Sequence, residues 1–180
     1  YVVQAILGGA PSTADVGLHG SFAMTGEGHG TRVAITGGLL GHMPDDERLR
    51  EAEAEAAERG LTMTFGTIDL GDEAHPNSAV FDVRRGDESI RITGCSIGGG
   101  RIRILEIDGF PVDLSGSLPT IVVVADDVPG TVARITGLIA ERGLNVATVR
   151  VDRTGRGERA LMTIETDEDV PADVLDELAG

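Results

Sequence analysis

Between Leu18 and Thr31 the chain reads LHGSFAMTGEGHGT, with glycines at 20, 26, 28 and 30, hydroxyls at Ser21 and Thr25, and imidazoles at His19 and His29. So few core-forming side chains do not make the spine of a domain. The residue types suit contact with something small and polar. An imidazole exchanges protons near neutral pH. Hydroxyls, and backbone amides beside glycine, offer donors with little steric bulk. Neither Ser21 nor Thr25 has a base and an orienting group legible beside it, so neither reads as a nucleophile. Ser21 and Thr25 either order this stretch or bind a carboxylate. A phosphate cradle is disfavoured, because no P-loop spacing follows.

Composition narrows the partners. The chain has 180 residues, room for one or two domains. Apolar residues make up 41% but aromatics only 3%, with no Trp, so the cores must be aliphatic. Asp and Glu total 30 against 15 Lys and Arg, a net charge of −15. Such a chain repels phosphate backbones, and nucleic acid is not an expected partner. No apolar run reaches membrane-spanning length, so no membrane is expected either. The single Cys95 excludes an intrachain disulfide, and any zinc or cluster site built from this chain's thiolates alone. That fits a reducing, cytoplasmic setting. The first residue is Tyr1, not Met, so an N-terminal piece is expected to precede it.

The elements that must position these residues fall into two units, 1–116 and 117–180. Residues 15–22 read as a short strand running into the glycine loop, and 32–41 as a short buried helix. Pro44, the acids Asp45, Asp46 and Glu47, and the closing pair Arg59-Gly60 predict a helix with an alanine-rich stripe. From Leu61 onward, alternating β-branched runs separated by turns predict an antiparallel sheet, making this unit α+β. His75 precedes a proline, which holds its backbone extended and fixes where the imidazole points; His75 and Asn77 are second candidates for chemistry. Gly98, Gly99 and Gly100 predict a bulge or a close backbone approach. His19 and His42 read as structural or solvated, and Cys95 as a small core residue.

In the second unit TIVVVADD is a continuous apolar strand of the buried kind. VPGTVARITGLIAERG is a helix with Val132, Ile135, Leu138 and Ile139 on one face and Gly143 at its end. Two strands around TGRGER and a helix from VPADVLDELAG complete the order β-α-β-β-α, a ferredoxin-like half-sandwich whose last strand would follow Gly180.

This second unit, roughly 119–180, resembles the ACT domain, through DDVPG at the strand-to-helix turn and GLNV one helix later. The resemblance implies amino-acid binding near Asp127, Gly130 and Asn145, and homo-association through this domain. The whole chain resembles the beta subunit of iron–sulfur-dependent L-serine dehydratase. The stretches carrying that likeness are GSFAMTGEGHGTRVAITGGLLG, DDER, HPNSAVF and SIGGGRIRILEIDGF, in the family's order. It implies β-elimination of water from L-serine, giving pyruvate and ammonia, with a [4Fe–4S] cluster as the Lewis acid that takes the hydroxyl. A cluster needs several thiolates and this chain has one cysteine, so the expected cluster-bearing partner is an alpha subunit. The resemblance makes His29 the catalytic base or a substrate contact. Ser21, Thr25, Gly28, Thr31, His75 and Asn77 become substrate-binding, and no metal ligand is expected on this chain. Two differences from the family stand out. Its Gly-Pro-Ser-Ser-Ser-His-Thr segment has no counterpart after Tyr1, and Arg32 stands where an acidic residue is usual. Two other readings are a regulatory, serine-sensing ACT-containing module without activity of its own, and a stand-alone ACT-type homodimer.

Overall fold

A computed structural model describes residues 2–26, 28 and 30–179. The chain divides into two compact units, Tyr1–Gly109 and Phe110–Gly180, each mixing helix with strand as an α+β chain should. Among the described residues no helix is long and apolar enough to cross a membrane.

The first unit opens with α1 (Val2–Leu7), β1 (Thr13–Leu18), α2 (Gly20–Thr25) and α3 (Thr31–Leu40). A 3-10 helix (Glu47–Glu51) runs into α4 (Ala52–Glu58), and β2 (Thr62–Thr67) follows. Next come β3 (Ser78–Arg85), β4 (Glu88–Gly98) and β5 (Arg101–Ile107), and the strand order within this unit is β2-β1-β3-β4-β5. β3, β4 and β5 pair antiparallel, as their alternation predicts. β2 departs from that expectation, pairing parallel to β1 with Thr13 opposite Thr62 and Leu18 opposite Thr67. The link from β1 to β2 is a helical crossover, and a strand reached by a crossover runs in the direction of the one it left.

Two helix expectations also shift. Gly20–Thr25 is a short helix, where the glycine content predicts a loop. The helix expected from Pro44 begins later, at a 3-10 turn capped by Asp46, whose side chain accepts from Arg48 N at 2.9 Å. The hydrogen bond from the Arg48 side chain is the main reason that the Asp46 carboxyl is lowered to about 2. The alanine stripe of α4 does pack closely, with Ala52 and Ala56 buried. A Cβ on Gly37 of α3 would lie 2.2 Å from Leu49 Cδ2, so only glycine fits there without repacking. Buried His42, just past α3, places Nε2 2.7 Å from Glu55 Oε2 of α4, a structural use of that imidazole. Cys95 is buried in β4. Gly98, Gly99 and Gly100 all take positive φ at the β4–β5 turn, beside a register shift between Ser96 and Gly98, so the bulge is real. Among the described residues, no atom beyond the chain neighbours lies within 4 Å of a Cβ built on any of them, so none of these makes a close approach there.

The second unit runs β6 (Phe110–Leu114), β7 (Thr120–Asp126), α5 (Thr131–Glu141), β8 (Val146–Arg153), β9 (Arg159–Thr166) and α6 (Ala172–Ala179), with β7, β9 and β8 forming a sheet in the order β7-β9-β8. Its core is Ile121, Ile135, Ile139, Met162 and Ile164. Each such large aliphatic side chain contributes about 1.5–3 kcal/mol on burial. The continuous run in β7 does not make it a buried strand; only Ile121 is buried, because β7 lies at a sheet edge and β9 takes the centre. Ile135 and Ile139 hold the predicted face of α5, while Val132 in its first turn stays 43% exposed.

Candidate functional site

The segment 68–77 links β2 to β3, and β1 lies between those two strands in the sheet. Leu18, the last residue of β1, is opposite Thr67 on one side and Ala79 on the other. The link therefore passes over the end of β1, just where α2 begins. Ser21 N donates to Pro76 O at 2.7 Å and His19 N to Ser78 O at 3.0 Å. Gly20 turns the chain with φ +55, and a Cβ there would meet Pro76 O at 2.6 Å. These bonds, made to a turn more than fifty residues on, start α2 in a sequence with little helical character of its own. They also bring Ser21 together with His75 and Asn77, three of the substrate-binding positions expected from the sequence.

The half-buried His75 ring is locked locally. Asn77 N donates to its Nδ1 at 3.1 Å, and Ser78 Oγ donates to its carbonyl at 2.7 Å. A backbone amide can only donate, so Nδ1 carries the lone pair and the neutral ring has its proton on Nε2. His75 thus offers an N–H, the right group for a carboxylate or hydroxyl oxygen. Asn77 O accepts from Ser96 N at 3.0 Å, tying the same turn to β4. His19 takes the structural of the two roles expected of it. Its half-buried ring accepts from Leu70 N at Nδ1, at 3.2 Å. Nothing in the sequence pairs His19 with Leu70; the link appears only once β1 and β2 lie side by side.

The remaining positions follow α2 and the start of α3. Thr25 Oγ1 donates to Ser21 O at 2.8 Å, an internal bond of α2, so this hydroxyl orders the stretch. Gly28 is exposed, and Thr31 N donates to Gly26 O at 3.0 Å, closing the turn between the helices. His29 lies outside the described residues. Thr31 also lines an apolar groove of about 370 Å³ with Phe22, Ala34, Ile35, Ile102 and Ile104. Arg32, the departure from the family pattern, sets its guanidinium 4.7 Å from the Phe65 ring centroid, where a cation–π contact holds the start of α3 against β2.

In the second unit Asp127 and Gly130 share the β7–α5 turn, while Asn145 lies before β8 at the other end of the sheet. One copy does not bring the three together. Asp127 accepts from Gly157 N and Arg153 Nη1, each at 3.0 Å, clasping its turn to the β8–β9 hairpin. Gly130 caps α5 with φ +98. Asn145 Nδ2 donates to Asp167 at 2.6 Å. The Gly157 amide, then Arg153, hold the Asp127 carboxyl below the usual carboxylate range. A lowered value in the fold means that the clasp stabilises fully above about pH 4, and is lost as pH falls further. Asp127→Ala is expected to lower the thermal midpoint near neutral pH. Its difference from wild type should shrink in melts below about pH 4, and a constant difference would deny the ionised clasp.

Among the described residues no group of three or more His, Cys, Asp or Glu side chains is placed to hold a metal ion. With one buried cysteine, this chain's donors do not fit an iron–sulfur cluster, which needs several thiolates.

The family model described as serine dehydratase beta chain matches residues 6–65, and the ACT domain model matches 119–180. The chain is 40% identical over 178 residues to "Probable L-serine dehydratase, beta chain" of Bacillus subtilis (strain 168), covering 99% of this chain and 80% of that one. It is 33% identical over 165 residues to the "L-serine dehydratase, beta chain" of Peptoniphilus asaccharolyticus, covering 91% and 74%. A D-3-phosphoglycerate dehydrogenase of Synechocystis sp. is 26% identical over 183 residues, which cover 98% of this chain but 32% of that protein. With two such relatives matched across both units, the chain belongs to the L-serine dehydratase beta chain family and carries a C-terminal ACT domain.

Proposed function

We propose that this chain is the beta subunit of an L-serine dehydratase, supplying part of the active site that converts L-serine to pyruvate and ammonia. The observation that carries this reading is the junction of α2 with the 75–78 turn, which gathers Ser21, His75 and Asn77 at the end of β1. His29, four residues past the end of α2 in sequence, takes the α-proton of serine or contacts the substrate beside it. His75 Nε2–H and the Ser21 hydroxyl donate to the substrate carboxylate, with Thr25, Gly28, Thr31 and Asn77 completing the contacts. Loss of the α-proton and of the β-hydroxyl as water leaves aminoacrylate. Its imine tautomer adds water and releases ammonia, giving pyruvate. The Lewis acid comes from a [4Fe–4S] cluster ligated by a partner alpha subunit. This chain by itself is therefore inactive. The ACT unit associates with a second copy and binds an amino acid near Asp127 and Gly130 of one copy.

Anaerobic co-expression with a cysteine-rich alpha chain, followed by a pyruvate assay on L-serine, tests the reading; turnover by the pair and none by this chain alone is expected. A second reading is favoured by the similarity to D-3-phosphoglycerate dehydrogenases: a serine-sensing module with no chemistry of its own. It predicts a serine-dependent thermal shift without pyruvate from any pairing.

A further inference from the structure

We propose that His19 is a positioning residue, fastening both ends of the 68–78 segment so that His75 and Asn77 are held for substrate. The inference rests on the reading of His75 and Asn77 as substrate contacts. The topology leaves few other residues able to act this way. β2 and β3 flank β1, so their connection must cross the end of β1, and His19 is the first residue to emerge there. Its ring meets the beginning of the segment, accepting from Leu70 N at 3.2 Å with Nδ1 lying 3.3 Å from Ile68 O. Its backbone meets the end, donating to Ser78 O at 3.0 Å.

Residues 68–77 form no helix or strand, and Asp69, Gly71, Asp72 and Glu73 are exposed. His75 orients its own ring through Asn77 N, but that bond lies wholly inside the turn and does not fix where the turn sits. The two anchors on His19 fix it together with Ser21 N on Pro76 O, Ile68 N on Leu18 O at 2.9 Å and Ser96 N on Asn77 O at 3.0 Å, and of these only the His19 ring bond is made by a side chain. Because Leu70 N–H donates, the His19 nitrogen that matters is an unprotonated Nδ1, and a side chain lacking an acceptor there frees the start of the segment.

Two substitutions separate anchoring from bulk. His19→Phe keeps a flat ring and removes the acceptor, whereas His19→Asn puts an amide oxygen near the place of Nδ1. On the isolated chain, hydrogen exchange of residues 68–78 is expected to rise in His19→Phe and to return toward wild type in His19→Asn. In the pair with the alpha subunit, His19→Phe should raise KM for L-serine about fivefold, the loss of about one hydrogen bond, with kcat within about twofold. His19→Asn should recover most of that. Unchanged exchange in His19→Phe overturns the proposal, and so does raised exchange with an unmoved KM, which would make His19 a fold tie only. If His19→Phe does not fold, a long-range proton–nitrogen spectrum of the wild-type chain decides, and a protonated Nδ1 on His19 overturns it. A wild-type pair that makes no pyruvate would sink the dehydratase reading, while the exchange experiment would still decide the anchoring.

Discussion

Replacing Gly20 by alanine is expected to destabilise the first unit by about 2–5 kcal/mol and to lower serine turnover about a hundredfold. Two costs add. Gly20 sits at φ +55, where an L side chain costs about 1–2 kcal/mol. The new Cβ would also lie 2.6 Å from Pro76 O and 2.9 Å from Pro76 Cα. Those are backbone atoms and cannot swing aside, so α2 and the 75–78 turn must part, and overpacking of this kind costs about 1–3 kcal/mol. The activity loss follows from geometry, since a misplacement of about 1 Å at a reacting site costs on the order of a hundredfold. Gly99→Ala separates the two costs: Gly99 has φ +62, but nothing lies within 4 Å of its Cβ position. Denaturant unfolding of both variants checks the argument, and equal losses would mean that the approach to Pro76 carries nothing.

His29→Ala should remove about 10²–10⁴-fold of turnover in the assembled pair, the usual contribution of a positioned base. Gly26 N donates to Phe22 O at 3.1 Å, Thr31 N donates to Gly26 O, and both neighbours, Gly28 and Gly30, are exposed. The substitution is expected to leave fold and assembly intact, which a thermal melt and co-purification of the pair check. The split between constants tells the two roles apart. A fall confined to kcat identifies a base, and a rise in KM with a modest change in kcat identifies a substrate contact. Unchanged turnover in an intact pair rules out both.

Much of the fold was legible because local periodicity and tertiary demand agree. The face of Ile135 and Ile139, the three glycines between β4 and β5, and the β-α-β-β-α order are all local patterns. What escaped depends on partners far along the chain. α2 has six residues and no periodic stripe, and its start is set by Pro76. β2 reads like any alternating strand, so its parallel direction is invisible without the crossover. At the site, His75 and Asn77 could be chosen from the proline between them, which restricts the backbone. His19 could not, because the reason for it is the passage of residues 68–77 over the end of β1. Asp127 shows a similar limit: its turn motif is local, but the bonds its carboxylate accepts from Gly157 and Arg153 depend on the β8–β9 hairpin more than twenty residues on.

The parallel pairing of β1 with β2 has a kinetic consequence. Asp15 and Thr64, bonded side by side, are 49 residues apart, whereas β3, β4 and β5 meet their partners through short turns. Closing the long crossover loses entropy before any contact repays it, so the hairpins form early and β1 and β2 join late. The proposed site is built from that crossover and from the segment bridging the end of β1. It is thus the last part of the unit to assemble and the first to open, and a chain under stress would lose its chemistry while most of its sheet still stands.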